Sequence, residues 1–491
     1  MAETWATRPQ RFSAVLLSLL WLASVSAEED SSRPNFIFFI TDDISAEDMG
    51  TYGGPVPTPN LDRLAASGIT FENAYVTASS CSPSRCSIIT SRYPHNTGAP
   101  ELHTPLPRDQ WKFPGRLRRH GYYSVLSGKN HMSFDGRSDD ESLLSDAFDR
   151  IVRGGKPSGS SDWVDTLANR PKDKPFFFWF ASYDAHRDWQ FTENSPRFHP
   201  EDVAVPPYLV DGPKTRRDFL GYYHEVARTD FYLGRLLDEL IKQGIRKHTY
   251  VIFTSDNGKP FPRGKTRLYD SGAKVPLVIS GPGIVTGKRS TSLVSLIDIA
   301  PTVLELANVA IPKQFQGVSQ VPVLSDPETT VRDYIFAEHN WHTFPANERM
   351  VRLEDWVYIR NHNYKDKNLC AESADKFPAG KELWEAEASG LLQPHQRDVF
   401  LQPRPFEELY NVRSDPHQFN NLVASPQHAG TLEELREAMD HWCEQTGDTI
   451  PSQPTTVVGH ITPDQRGEFP GASADASHIL NAGPTRRVRK H

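Results

Sequence analysis

Residues able to do chemistry gather in five places along the chain. The run SSCSPSRCSIITS at 79–91 sets Cys81 and Cys86 five positions apart. Cys81 can be read as half of a disulfide, a buried apolar residue, a metal ligand or a nucleophile. Asp42-Asp43 and Asp256-Asn257 each follow an apolar run. Either pair alone reads as a helix cap or a turn. Together, three carboxylates and one amide form an oxygen-only donor set suited to a hard divalent cation such as Ca2+ or Mg2+. No His/Cys cluster has zinc spacing. Lys129 and His131, His186, Arg85 and Lys265 lie in or beside the same clusters. Two histidines beside lysine and acids suit an anionic substrate and proton transfer. Pro83 and Ser84 suit the first turn of a helix beginning near Cys81. A helix N-terminus favours negative charge and would lower the Cys81 pKa. Cys86 falls inside that helix as a packing residue, too far along it for a bridge to Cys81.

The elements that must position these groups are strands. NFIFFITDD (35–43), GYYSVLSGKNH (121–131), KPFFFWFASYDAHR (174–187) and HTYVIFTSDNG (248–258) are apolar runs followed by polar clusters. Continuous apolar runs suit parallel strands covered on both faces. Helical patterns at 60–68, 217–244 and 296–309 alternate with them. The expected fold class is α/β, a large, mostly parallel mixed sheet sandwiched by helices. In such sheets sites form beyond the carboxyl ends of the strands, where all four clusters fall. After about residue 325 short strands and a helix at 431–447 predict a smaller C-terminal α+β domain with an antiparallel sheet. The expected division is 1–27 leader, 28–325 catalytic domain, 326–450 second domain and 451–491 a loosely ordered tail rich in Pro, Gly and Ser.

Length and charge set the class. The chain has 491 residues, 37% hydrophobic and 11% aromatic, with a net charge of −8. That argues against general nucleic-acid binding while allowing a local basic pocket. Arg8 and Arg11, the apolar stretch FSAVLLSLLWLASV and the small-residue site Val25–Ala27 predict an export signal cleaved near Ala27. The stretch is short for a membrane span and no second long one follows, so a soluble exported protein is expected, in a periplasmic, secreted or lysosomal-type compartment. Four cysteines are too few for a disulfide scaffold, and spacing leaves a Cys370–Cys443 pairing open.

Cys-Ser-Pro-Ser-Arg at 81–85 resembles the signature of the type I sulfatases, in the alkaline-phosphatase-like superfamily. TPNLDRLAASGITFENAYV precedes it, and RYPHNTG, SGKNH, TSDNG, DIAPTVLELANV and LYNVRSDPHQFNNL follow in order, from about 35 to 445. One departure is IITS at 88–91, where Ser91 stands in place of the usual glycine. The resemblance implies that Cys81 is converted to formylglycine by a separate formylglycine-generating (sulfatase-maturating) enzyme reading Cys-x-Pro-x-Arg. The aldehyde then hydrates to a geminal diol, one hydroxyl attacks sulfur, and the second expels sulfate. It also implies that Asp42, Asp43, Asp256 and Asn257 hold one Ca2+ with the modified Cys81. Arg85, Lys129 and Lys265 would neutralise the sulfuryl group, His131 would act as base on the diol, and His186 would protonate the leaving group.

The loop SDNGKPFPRGKTRLYD and the run DAHR at 184–187 are similar to the heparan N-sulfatases (sulfamidases), with Ala185 in place of a proline. That makes Asp184 and Arg187 candidate sugar-contacting residues, and AEHNWH at 337–342, with His339, a candidate contribution from the second domain. The leading expectation is N-sulfoglucosamine sulfohydrolysis on a sulfated carbohydrate. The alternatives are an O-sulfatase on another sulfated glycan and a phosphatase or phosphonate hydrolase of the same superfamily, which usually carries further His or Asp metal ligands. A glycan-binding protein with a dead site would have lost its strand-end polar groups, and here they are present.

Overall fold

Strand β1 (Asn35–Thr41) explains the architecture. Phe36, Phe38 and Ile40 point into one hydrophobic core and Ile37 and Phe39 into another. Strands β5 (Phe176–Ala181) and β6 (Thr249–Ser255) divide their side chains between the same two cores. Side chains alternate across a strand, so an unbroken apolar run demands cover on both faces. Each fully buried Phe contributes roughly 1.5–3 kcal/mol. This is a computed structural model, and it describes residues 1–2, 33–134, 139–367, 369–451, 455 and 485–487. Residues 3–27 of the leader expected at 1–27, and nearly all of the tail after 451, lie outside the described residues.

The remaining strands of the large sheet are β2 (Ile69–Tyr75), β3 (Tyr123–Gly128), β4 (Arg150–Val152), β7 (Lys274–Val275), β8 (Leu277–Ser280) and β9 (Lys288–Ser295). This nine-stranded sheet runs β4–β3–β5–β1–β6–β8–β2–β7, with β9 also paired to β2. Strands β4, β3, β5, β1 and β6 are mutually parallel, with Ile37 level with Phe178 on one side and Val251 on the other. Strand β8 inserts antiparallel between β6 and β2. Among the covering helices are α1 (Pro59–Ala66), α2 (Cys81–Thr90), α3 (Pro213–Lys242) and α4 (Ile299–Leu306).

A second sheet, β10 (Tyr334–His339), β11 (Glu348–Leu353), β12 (Trp356–Asn361) and β13 (Glu407–Asn411), is antiparallel throughout. Helix α5 (Pro378–Ala388) packs on α3. Helix α6 (Ala429–Thr446) packs on the second sheet, sharing a core of Phe336, Val351, Leu435, Met439 and Trp442. The α/β class, the mostly parallel mixed sheet and the smaller antiparallel unit agree with the sequence reading. No helix among the described residues is long and apolar enough to cross a membrane.

Candidate active site

The ends of β1, β3 and β6 deliver the site. Asp42 and Asp43 follow β1 directly, Lys129 follows β3, and Asp256 and Asn257 follow β6. Backbone bonds stitch these ends together: Asp42 N donates to Asp184 O at 2.8 Å, Lys129 N to Ala181 O at 2.8 Å and Asp256 N to Thr41 O at 3.1 Å. Gly128 is required here. Its φ is +102°, and a Cβ would sit 1.8 Å from Ala181 O. Asp43 itself holds a φ of 58°, and its N–H donates to Asp256 Oδ1 at 3.1 Å.

Helix α2 starts at Cys81, so the expected helix start holds. All ten of its residues are buried. Cys81 Sγ lies 3.6 Å from Asp42 Oδ1 and 3.7 Å from Asp43 Oδ1. The low thiol pKa expected from the helix terminus is corrected: burial pushes it well up, and Asp42 and Asp43 add to that against Lys129 and Lys265. Cys86 is buried inside the helix, as expected. Cys81, Cys86, Cys370 and Cys443 are all free thiols.

Three cations face the three carboxylates. Arg85 Nε donates to Asp256 Oδ2 at 2.8 Å, and Lys265 Nζ lies 2.8 Å from Asp43. Lys129 Nζ pairs with Asp42. Burial alone would lower Lys265 and Lys129, yet Asp43 and Asp42 outweigh it and hold both above the ordinary lysine value. Burial likewise raises Asp256. Two atoms in this packed cluster are buried with no hydrogen bond: Asn257 Oδ1, and Arg85 Nη2, which lies 4.0 Å from Asp42 Oδ2. An orphaned guanidinium N–H suits an anion, and an orphaned amide oxygen beside carboxylates suits a cation. Asp42, Cys81 and Asp256 form one group whose ligating atoms lie within 4.8 Å of one another, and Asp43, Cys81 and His186 form another. These residues fit a bound metal ion.

The histidines ring this centre. His131 Nε2 lies 3.0 Å from His103 Nδ1, and His131 Nδ1 is buried without a partner. Burial and Lys129 push His131 well below the ordinary imidazole range. His186 Nδ1 sits 2.6 Å from the Arg187 carbonyl. Its side chain reaches the surface, while its inner surroundings and Lys129 lower its pKa. His339 on β10 is buried, with Nδ1 2.9 Å from Glu348 Oε2 and Nε2 unpartnered.

Asp184 and Arg187 both pair with residues of α3. The Asp184 carboxylate is gripped by Arg228 of α3, at 2.8 Å from Nε and 2.7 Å from Nη2. Arg187 is clamped on Asp218 through both Nη atoms, bonds Pro260 O, and stacks on Trp189, Phe261 and Phe377. With their polar atoms engaged inside the protein, both residues help to position the loop after β5. Sequence reasoning missed Asp218 and Arg228, which look like ordinary polar positions of an amphipathic helix. It also missed His103, Ser80 and His342. Ser80 Oγ lies 2.6 Å from His342 Nδ1, joining the start of α2 to the second domain.

The sulfatase family model matches residues 34–309, more than half of the chain and every group of this centre except His339. The chain belongs to the sulfatase family. It is a hydrolase of sulfate esters or sulfamates. A second model, N-sulphoglucosamine sulphohydrolase, C-terminal, matches residues 263–373 of this sulfatase. An ulvan-active sulfatase of Formosa agariphila is 29% identical, over 85% of this chain and 76% of that protein. The N-sulphoglucosamine sulphohydrolase of Homo sapiens is 28% identical, over 87% and 93%. Among solved structures, one in complex with its substrate D-glucosamine-2-N,6-O-disulfate superposes with a TM-score of 0.65 at 21% identity, covering 84% of this chain and 98% of that one. The phosphonate monoester hydrolase of Agrobacterium radiobacter does so at 0.63 and 19%, covering 82% and 95%. These likenesses establish the shared fold.

Proposed function

We propose that this sulfatase removes sulfate from a sulfated glycan, with the N-sulfate of glucosamine as its leading substrate. The observation that carries the reaction is the seat of Cys81, with Sγ 3.6 and 3.7 Å from two carboxylates and three buried cations around them. The substrate reading is supported by the match of residues 263–373, which include the Lys265 loop, to the sulphoglucosamine family.

When present, formylglycine at position 81 supplies the paired hydroxyls that cysteine lacks, and Ca2+ supplies Lewis-acid charge. Asp42, Asp43, Asp256 and the free Oδ1 of Asn257 are the proposed ligands, with position 81. Arg85 meets a sulfuryl oxygen through Nη2, and Lys129 and Lys265 offset its negative charge. His131, held neutral, accepts a proton through the unpartnered Nδ1, and His186 at the mouth protonates the departing amine or alcohol. The proposed division places this chemistry in 28–325 with 326–450 closing one side. The proposed route is export after cleavage near Ala27, with maturation at Cys81 by a formylglycine-generating enzyme.

A second reading is favoured by the ulvan-active relatives: an O-sulfatase on another sulfated glycan. Sulfate release from N-sulfoglucosamine, 6-O-sulfoglucosamine and ulvan fragments tests the choice. Release from the 6-O ester or ulvan alone rejects the N-sulfate assignment. The mass of the Cys81 peptide tests the chemistry itself: an intact thiol in active protein removes it.

A further inference from the structure

We propose that His103 and His131 form a proton-relay pair, with His103 as the positioning residue that sets which nitrogen of His131 carries the proton. The inference rests on the proposed role of His131. His131 Nε2 and His103 Nδ1 are 3.0 Å apart, the distance of one N–H···N bond, and one hydrogen lies between them. The rings are held there. Their centroids are 5.0 Å apart, and Phe134 sets its edge against His103 at 5.1 Å and packs on His131 at 5.9 Å.

His103 is also tied to the Cys81 turn. Its backbone N–H donates to Ser82 Oγ at 3.0 Å, and its φ of 60° is a left-handed value that a non-glycine residue rarely adopts. The preceding Leu102 is pinned by a bond from its N–H to Trp341 O at 3.2 Å. One residue thus spans the nucleophile's turn and the base.

The bond has two arrangements. With the hydrogen on His131 Nε2, His131 Nδ1 presents a lone pair and is a base. With the hydrogen on His103 Nδ1, His131 Nδ1 carries N–H and is an acid. When Nδ1 of His131 gains a proton, its Nε2–H bond breaks, the His103 Nδ1–H bond forms, and the positive charge moves to His103. Lys129, Arg85 and His186 act on His131. The cations Lys129 and Arg85 disfavour positive charge on His131. His103 and His131 are both half-buried, and His131 Nδ1 is fully enclosed.

The test compares His103→Ala and His103→Gln with wild type on the sulfated glucosamine that wild type hydrolyses, after peptide mass shows equal conversion of Cys81. The relay predicts a kcat loss on the order of 10- to 100-fold in both variants with KM unchanged. It also predicts a displaced acid limb of the kcat–pH profile and recovery of His103→Ala by added imidazole. Nitrogen-15 histidine spectra of wild type show coupling between the two ring nitrogens. Full activity in His103→Gln, or a loss without imidazole rescue and with an unmoved pH profile, overturns the relay. Absence of turnover in fully converted wild type instead overturns the sulfohydrolase reading.

Discussion

Arg85 Nε donates to Asp256 Oδ2 at 2.8 Å while Nη2 of the same buried guanidinium makes no hydrogen bond and lies 4.0 Å from Asp42 Oδ2. One edge of the fork is fixed by the protein and one N–H is left for an anion. Arg85→Lys keeps the charge and loses the fork. It is expected to lower kcat/KM by about 10²–10³, the loss seen when one preorganised donor to a transition-state oxyanion is removed. Steady-state kinetics check this, together with the mass of the Cys81 peptide, because Arg85 also belongs to the Cys-x-Pro-x-Arg signal. Fully converted protein with undiminished kcat/KM would sink the assignment.

Asn257 Nδ2 donates to Asp43 Oδ1 at 2.6 Å, and its Oδ1 is buried without a hydrogen bond. A divalent cation should therefore stabilise the folded chain, by about 2.7 kcal/mol at 100 times its Kd. EGTA is expected to abolish turnover and lower Tm, with excess Ca2+ restoring both. Asp43→Asn removes a charged ligand and should need at least about tenfold more Ca2+ for half-recovery. Metal content and thermal melts read this out. A melt indifferent to EGTA and Ca2+ argues against a resident cation.

Arg187 is buried on Asp218, with side chains 5% and 0% exposed. Arg187→Met leaves Asp218 charged in the core and is expected to cost about 3–5 kcal/mol. A sugar contact would instead raise KM and leave the denaturation midpoint in place. Denaturant unfolding beside substrate titration separates the two.

The strand ends were legible because a parallel sheet leaves a strong trace: apolar runs such as NFIFFIT and TYVIFTS, each followed at once by acids. Asp42, Asp43, Lys129, Asp256 and Asn257 converge for that reason. What stayed hidden depends on contacts far apart in sequence. Arg228 reaches Asp184 across 44 positions, and His342 reaches Ser80 across 262. Strand β8 runs antiparallel in the middle of the sheet, and nothing in Leu277–Ser280 marks its direction. His103 stands in a loop with no periodicity, so its approach to His131 has no local signal.

Ser91, the departure from the family's glycine, caps α2 at φ 55° and ψ 40°, the left-handed conformation that glycine adopts freely. Its hydroxyl compensates, donating to Ile297 O at 2.7 Å and accepting from Gly317 N at 3.2 Å. Ser91→Ala keeps the backbone strain and strands both groups, whereas Ser91→Gly strands them but relieves the strain. The alanine variant should be the less stable of the two by about 1 kcal/mol. Paired urea unfolding curves decide it, and equal midpoints would show that the strain is negligible.

Glu348 sits in a charge cluster of the antiparallel unit. It faces His339 at 2.9 Å, with Arg404 3.8 Å away. Burial would raise its pKa, but the hydrogen bond from His339 and the charge of Arg404 outweigh that and hold it at about 2 rather than 4.5. A carboxylate held below its unfolded value contributes stability that is present above about pH 4.5 and is lost as pH falls toward 2. The contribution is on the order of 3 kcal/mol at neutral pH. Glu348→Gln should therefore be less stable than wild type at pH 7, and the gap should shrink steadily between pH 4.5 and 2. Asp448 and Asp398 are also held low, by Arg349 and Arg267 respectively, in both proteins, so the difference between the two curves is the measurement. Urea unfolding at pH 7, 4 and 3 supplies it. A gap that does not change with pH would mean that Glu348 contributes through packing rather than through charge.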